Sequence, residues 1–245
     1  MIEILLPTFI LIVALVAIHT LFGIEVIQRG IIFTDLAIGQ SAAVGTAVAL
    51  LWFGEAFIYP ISLTFAIGAG LWISFLSQKK YSEASIGLIY SFSFSLIFLI
   101  MSHSAEGVEI FINLTAADII FTPLTSIAIS IGLYTIIAML FIFVLQKMHL
   151  GIRRDMLFFT LFAITVSNSV QVAGVMVVFS LLIAPSFIAV VLHRGFLTAF
   201  IVGVSLGLFA VIASYMLDLS TGHFLVAIFS VSALLAISFQ KQEKV

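Results

Sequence analysis

The sequence predicts an all-α bundle of about eight to nine helices that cross a membrane. Three observations carry that prediction. The first is composition: 63% of the 245 residues are hydrophobic, only 8% are charged, and the mean hydropathy is +1.36. A water-soluble fold of about 45–50% apolar residues would leave the surplus uncovered, so the solvent around this chain is lipid. The second is segmentation into apolar stretches near the ~20 residues that one crossing needs. The third is the placement of the bases, all of which fall in alternate connections.

The stretches are Leu5–Ile24, Leu36–Phe53, Ala56–Leu76, Ala84–Met101, Pro123–Leu145, Leu157–Leu192, Phe196–Leu217 and Phe224–Phe239. Leu157–Leu192 is too long for one helix. The polar patch Ser167–Gly174 ("SNSVQVAG") interrupts it and reads as a turn between two helices, or as a re-entrant pair, which brings the count to about nine. Met1–Gly23 lacks a basic start and a small-residue cleavage site, so it reads as a first span. No soluble segment separates the spans, so residues 1–245 form one transmembrane domain. The longest connection, Ser102–Thr122, is partly apolar and is expected to lie along the membrane surface. Its Asn113–Thr115 triplet matches a glycosylation acceptor, a pattern too short to carry weight.

The nine bases are Arg29, Lys79, Lys80, Lys147, Arg153, Arg154, Arg194, Lys241 and Lys244. With the N-terminus outside, every one lies in a cytoplasmic connection or the C-terminal tail, as the positive-inside rule requires. Glu3, Glu55, Glu106, Glu109, Asp118 and Asp218 then face the other side. An acidic outer face gathers cations, or is simply what remains when bases are kept inside.

Much chemistry is excluded. A net charge of −2 offers nothing to nucleic acid. With no cysteine there is no disulfide, thiolate metal site or cysteine nucleophile. There is no P-loop, no H-E-x-x-H, and no span with two acids to form a protease dyad. No catalytic residue and no permanently bound cofactor are expected. His19 sits within the first span towards its cytoplasmic end, where a lone histidine is more often a hydrogen-bonded core residue or a snorkelling one than a ligand.

The informative residue is Asp35, in "FTDLAIGQSAAVG" (residues 33–45), at the mouth of an apolar run with no base beside it. It is an N-cap for the second span, a packing accident, or a ligand for a passing cation, since burying an unpaired carboxylate is costly. Downstream, Ala37, Ser41, Gly45 and Ala49 make a small-residue stripe that lets a neighbouring helix approach closely. Gln40, five residues on and roughly 140° around the helix, adds a carbonyl oxygen.

Four segments in one order resemble the membrane-spanning permease subunits of bacterial ABC transporters for zinc, manganese and iron. "SVQVAGVMVVFSLLIAPSFIAVVL" (Ser169–Leu192) is similar to that family's apolar block with a Gln/Gly pair and a late proline. "RGIIFTDLAIGQSAAVG" (Arg29–Gly45) resembles its basic turn followed by an Asp-bearing small-residue helix. "ASIGLIYSFSFSLIFLIMS" (Ala84–Ser102) resembles its I-G-I helix, and "YMLDLSTGHFLV" (Tyr215–Val226) its outer turn, with Ser220 in place of proline. The resemblance implies the metal ABC importer permease fold, a homodimer in the inner membrane, and two partner types. These are ATPase subunits at the cytoplasmic loops and an extracytoplasmic metal-binding protein. It also implies that Asp35, with Gln40, meets the transported divalent ion, zinc or manganese, two copies of each residue facing it in the dimer.

Two departures qualify this. Many members have a histidine four residues after the Asp, where this chain has Gly39, leaving hard oxygen donors that suit Mn²⁺ or Mg²⁺ as well as Zn²⁺. The loop Gln146–Arg154 is short and lacks the acidic, alanine-containing coupling segment. An ATP-independent or uncoupled channel or carrier of the same descent is therefore the rival reading, and a non-transporting scaffold is a second. Pro185 is expected to kink its helix, as a hinge or as static packing.

Overall fold

The computed structural model describes residues 2–102 and 119–238. Among these residues there are nine α-helices: α1 Ile2–Arg29, α2 Thr34–Trp52, α3 Ile58–Leu76, α4 Ser82–Met101, α5 Leu124–Phe143, α6 Ile152–Ala173, α7 Val175–Val191, α8 Phe196–Met216 and α9 Thr221–Ile237. Seven are long and apolar enough to cross a membrane, and α7 and α9 are shorter apolar helices. At 17 residues each, α7 and α9 are ~26 Å long, close to the hydrocarbon thickness. Asn113–Thr115, His103, Glu106, Glu109, Asp118, Lys241 and Lys244 lie outside the described residues.

The break between two helices expected within Ser167–Gly174 is present but narrower than the patch. Helix α6 runs through Ser167, Asn168 and Gln171 to Ala173, and the break is the single residue Gly174, at φ 83° and ψ 157°. That backbone region is essentially reserved for glycine, so the two helices join there without a loop. The patch is polar for another reason. Ser167 Oγ lies 3.5 Å from Ser62 Oγ of α3, and Ser169 Oγ lies 2.8 Å from the Tyr134 hydroxyl of α5. In hydrocarbon, small hydroxyls are used to join helices, and here they tie α6 to two neighbours.

Helix α2 is the centre of the bundle, packed by α3, α4, α6 and α7, and most of its length is buried. The small-residue stripe explains part of this closeness. A Cβ on Gly45 would lie 2.7 Å from the Ser62 Cα of α3, and Ser41 Oγ meets Ser93 Oγ of α4 at 3.1 Å. Helix α1 packs chiefly on α7, α8 and α5. Its Phe22 ring joins Phe141, Phe158 and Phe162 with centroids 5.0–5.5 Å away, an edge-and-tilt aromatic cluster near one end of the bundle. Helix α7 continues through Pro185, and the Pro185 ring lies where α8 presents Gly203.

At that same end four connections meet around a cleft of about 740 Å³ lined by Arg29, Ser77, Gln146, Arg154, Asp155 and Arg194 among others. This gathering is what alternate crossings produce, and it turns the charge pattern into a physical basic end. Glu25 and Arg29 pair within α1, Arg29 Nη1 donates to Asp155 Oδ1 at 2.8 Å, and Arg154 Nη1 donates to Glu25 Oε1 at 2.6 Å. Gln78, just past α3, donates to Asp155 at 3.3 Å. The network fastens α1 to α6, beside the aromatic contacts of Phe22 with Phe158 and Phe162. Between α5 and α6 the chain makes only a 3₁₀ turn, Leu145–Lys147, before reaching Gly151.

Candidate functional site

Asp35 is the second residue of α2, a position from which a carboxylate can cap its own helix. It does not. The residue before the helix is Phe33, no side chain caps the end, and neither Asp35 oxygen has a hydrogen-bond partner, although the residue is only 1% exposed. Nearby donors are engaged elsewhere: Thr34 Oγ1 donates to the Ile31 carbonyl, and the Phe33 N–H donates to Glu83 Oε1 at 3.2 Å. Of the open readings, the capping one is overturned, leaving a buried carboxylate with nothing to hold. Such groups are rare because the lost hydration is not replaced.

The direction of the side chain follows from Gly39, one turn further along the same face. A Cβ on Gly39 would lie 3.4–3.6 Å from Val175, Val170 and Val166. Asp35 is thus turned towards the junction of α6 and α7, and the volume beside position 39 is filled by three valines. Gln40 is also 1% exposed with both amide atoms unpartnered. Its successors on the helix, Ala43, Val44 and Ala47, cluster with Ile97 and Met101 of α4. The 140° offset therefore puts Asp35 and Gln40 on different sides of α2. The helices of one chain enclose both residues, so Asp35 does not lie on an open face waiting for its copy in a second protomer.

His19 is fully buried in the middle of α1, roughly 15 Å from the Arg29 end because the helix runs five residues beyond Ile24. It does not snorkel. Nδ1 lies 2.8 Å from the Leu15 carbonyl, and Nε2 has no partner. Among the described residues no three His, Cys, Asp or Glu side chains gather as a metal centre. The sequence reading missed the Glu25–Arg29–Asp155–Arg154 network. The i,i+4 spacing of Glu25 and Arg29 signals its first pair, but the other two partners lie more than a hundred residues away.

A bundle of apolar helices, seven of them long enough to cross a membrane, defines a polytopic membrane protein. The sequence profile of the ABC 3 transport family matches residues 1–240, and the chain belongs to that family. It is 29% identical to a Haemophilus influenzae protein named "Probable iron transport system membrane protein", over 76% of this chain and 75% of that one. Its fold is that of a chain in the structure of PsaBC from Streptococcus pneumoniae in complex with Fab, with a TM-score of 0.72, 16% identity, and coverage of 96% of this chain and 91% of that one.

Proposed function

We propose that this chain is the membrane-spanning subunit of an ABC importer for a divalent metal ion, zinc or manganese, with iron added by the name of the Haemophilus relative. The single observation that carries the reading is Asp35, a carboxylate enclosed in hydrocarbon with no partner of its own. A dication supplies the missing partner, binding strongly enough to replace its water and weakly enough to leave. Gln40, on the α4 side of the same helix, gives the ion a second oxygen contact further from the basic end.

The subunit works as a homodimer in the bacterial inner membrane, N-terminus outside and C-terminus cytoplasmic. An extracytoplasmic binding protein delivers the ion. Separate ATPase subunits hydrolyse ATP and dock at the basic end, where four connections surround the cleft. Because α3, α4, α6 and α7 enclose α2, the ion reaches Asp35 only when helices part, which is the work that ATP-driven alternating access performs. Each protomer then carries its own Asp35 within its own bundle.

The rival, an uncoupled channel or carrier, is favoured by the short 3₁₀ connection Leu145–Lys147, which contains no α-helix to seat in an ATPase. Uptake of ⁶⁵Zn²⁺ and ⁵⁴Mn²⁺ in the native host separates the two. Import that stops on ATP depletion and in Asp35→Asn supports the coupled permease. Import that survives ATP depletion supports the rival, and import retained in Asp35→Asn removes the site assignment.

A further inference from the structure

The charged cleft at the basic end continues into the membrane. Beside it a groove of about 760 Å³ runs between α1 and α5, lined on α1 from Ile10 to Leu21 and on α5 from Ile131 to Ile142. Leu21, Gln146 and Phe196 line both cavities, so the groove opens into the cleft. Each wall covers eleven residue steps, ~17 Å at the rise of an α-helix. Half the hydrocarbon of a bilayer is ~15 Å thick, so the groove is about as long as one leaflet is deep. Ile18 and Tyr134 are buried at its floor, the small Ala17 and Ala138 leave it room, and Ile10 and Ile142 stand exposed along it. Spread over that length, the volume gives a channel about 7–8 Å across, narrower than the 10–12 Å of a helix with its side chains.

The cleft supplies the polar half of a site for an amphiphile. Arg29, Arg154 and Arg194 line it against two carboxylates, Glu25 and Asp155. Both carboxylates are engaged by Arg29 and Arg154, whereas Arg194, between α7 and α8, is exposed and makes no ion pair among the described residues. One surplus cation therefore stands where an apolar channel ends, and Gln146 offers an amide donor at the junction. We propose that groove and cleft together bind one anionic glycerophospholipid from the leaflet at the basic end. An acyl chain lies between α1 and α5, and Arg194 with Gln146 takes the phosphate. Basic pockets between membrane helices hold anionic headgroups by this combination of fixed charge and apolar wall. A net-negative lipid is preferred over a zwitterionic one because only the former leaves the surplus arginine neutralised. The site is independent of what passes at Asp35.

Native mass spectrometry of the full-length chain tests this, with protein delipidated in detergent and offered equal amounts of dioleoyl phosphatidylglycerol and dioleoyl phosphatidylcholine. The wild type retains one phosphatidylglycerol per chain, favoured over phosphatidylcholine by about fivefold, the effect of one arginine at a membrane surface. Arg194→Gln removes most of that preference. Ala138→Trp fills the groove and lowers the retention of both lipids. Excess glycerol phosphate, a headgroup without chains, displaces neither. Arg194 is exposed, so Arg194→Gln tests the headgroup contact even if Ala138→Trp does not fold. Equal retention of the two lipids, or a preference unmoved by Arg194→Gln, overturns the proposal. Displacement by glycerol phosphate overturns it in favour of a free-anion site. Lipid retention unmoved by Ala138→Trp overturns it as well, and a dimer lost in that variant would make the groove the seat of a second copy.

Discussion

A carboxylate kept for a visiting ion is a burden when the ion is absent, so Asp35→Ala raises the stability of the metal-free chain. The magnitude follows from the surroundings. At the centre of a membrane helix an unpaired charge costs ~2.5–3.5 kcal/mol on insertion scales, which sets the upper bound for Asp35, the second residue of α2. Its place in the first turn of α2 returns about 0.3–1 kcal/mol through the helix dipole. Removing the carboxylate leaves a methyl-scale cavity that costs ~1 kcal/mol. The net gain is about 1 kcal/mol, a rise in melting temperature of roughly 2–4 °C for a chain of this size. Size-exclusion recovery after heating, on chelator-treated protein, measures it. In the wild type, zinc or manganese at ~100 times its dissociation constant adds ~2.7 kcal/mol of stability, and the alanine variant shows no such response. A variant that melts below the wild type and still responds to metal would refute the reasoning, because Asp35 would then have a structural partner.

Two further predictions concern the frame around the site. Gly174→Ala places a side chain at φ 83° and ψ 157°, costs about 1–3 kcal/mol, and lowers the melting temperature by several degrees. An unchanged melting temperature would mean that α6 and α7 join in another conformation. Gly45→Ala puts its methyl 2.7–3.0 Å from the backbone of Ser62 and Ile61. Overpacking of ~1–3 kcal/mol then outweighs the ~1 kcal/mol gained in helix propensity. Chemical cross-linking between cysteines placed on α2 and α3 reads their separation, and unaltered yields would contradict the close approach.

The helices were legible because lipid is a demanding solvent. Each crossing must bury its own backbone polar groups, so runs of about the right length could be counted without knowing their neighbours. The alternating bases were legible for a similar reason, and the 740 Å³ cleft gathers four of their connections at one end. The break at the end of the polar patch was legible, but its confinement to Gly174 was not, because hydroxyls in a sequence look the same whether they face water or another helix. Ser62 and Tyr134, which make them helix contacts, lie far away in the chain. Asp35 shows the same division. Its position at the head of α2 left capping and ligation open, and the structure removed the first by withholding every donor from its oxygens.

By itself, then, the sequence determined the solvent, the approximate number of helices, the gathering of the bases in alternate connections and the identity of the one acid worth asking about. Those properties depend on composition and spacing within single segments. Tertiary structure decided which faces of α2, α3, α4, α6 and α7 meet, and therefore that Asp35 and Gln40 are both enclosed, without partners, on different sides of α2. Helix rotation and crossing are set by side chains such as Gly23, Gly39 and Gly45 fitting against distant partners, and a linear reading does not contain those partners.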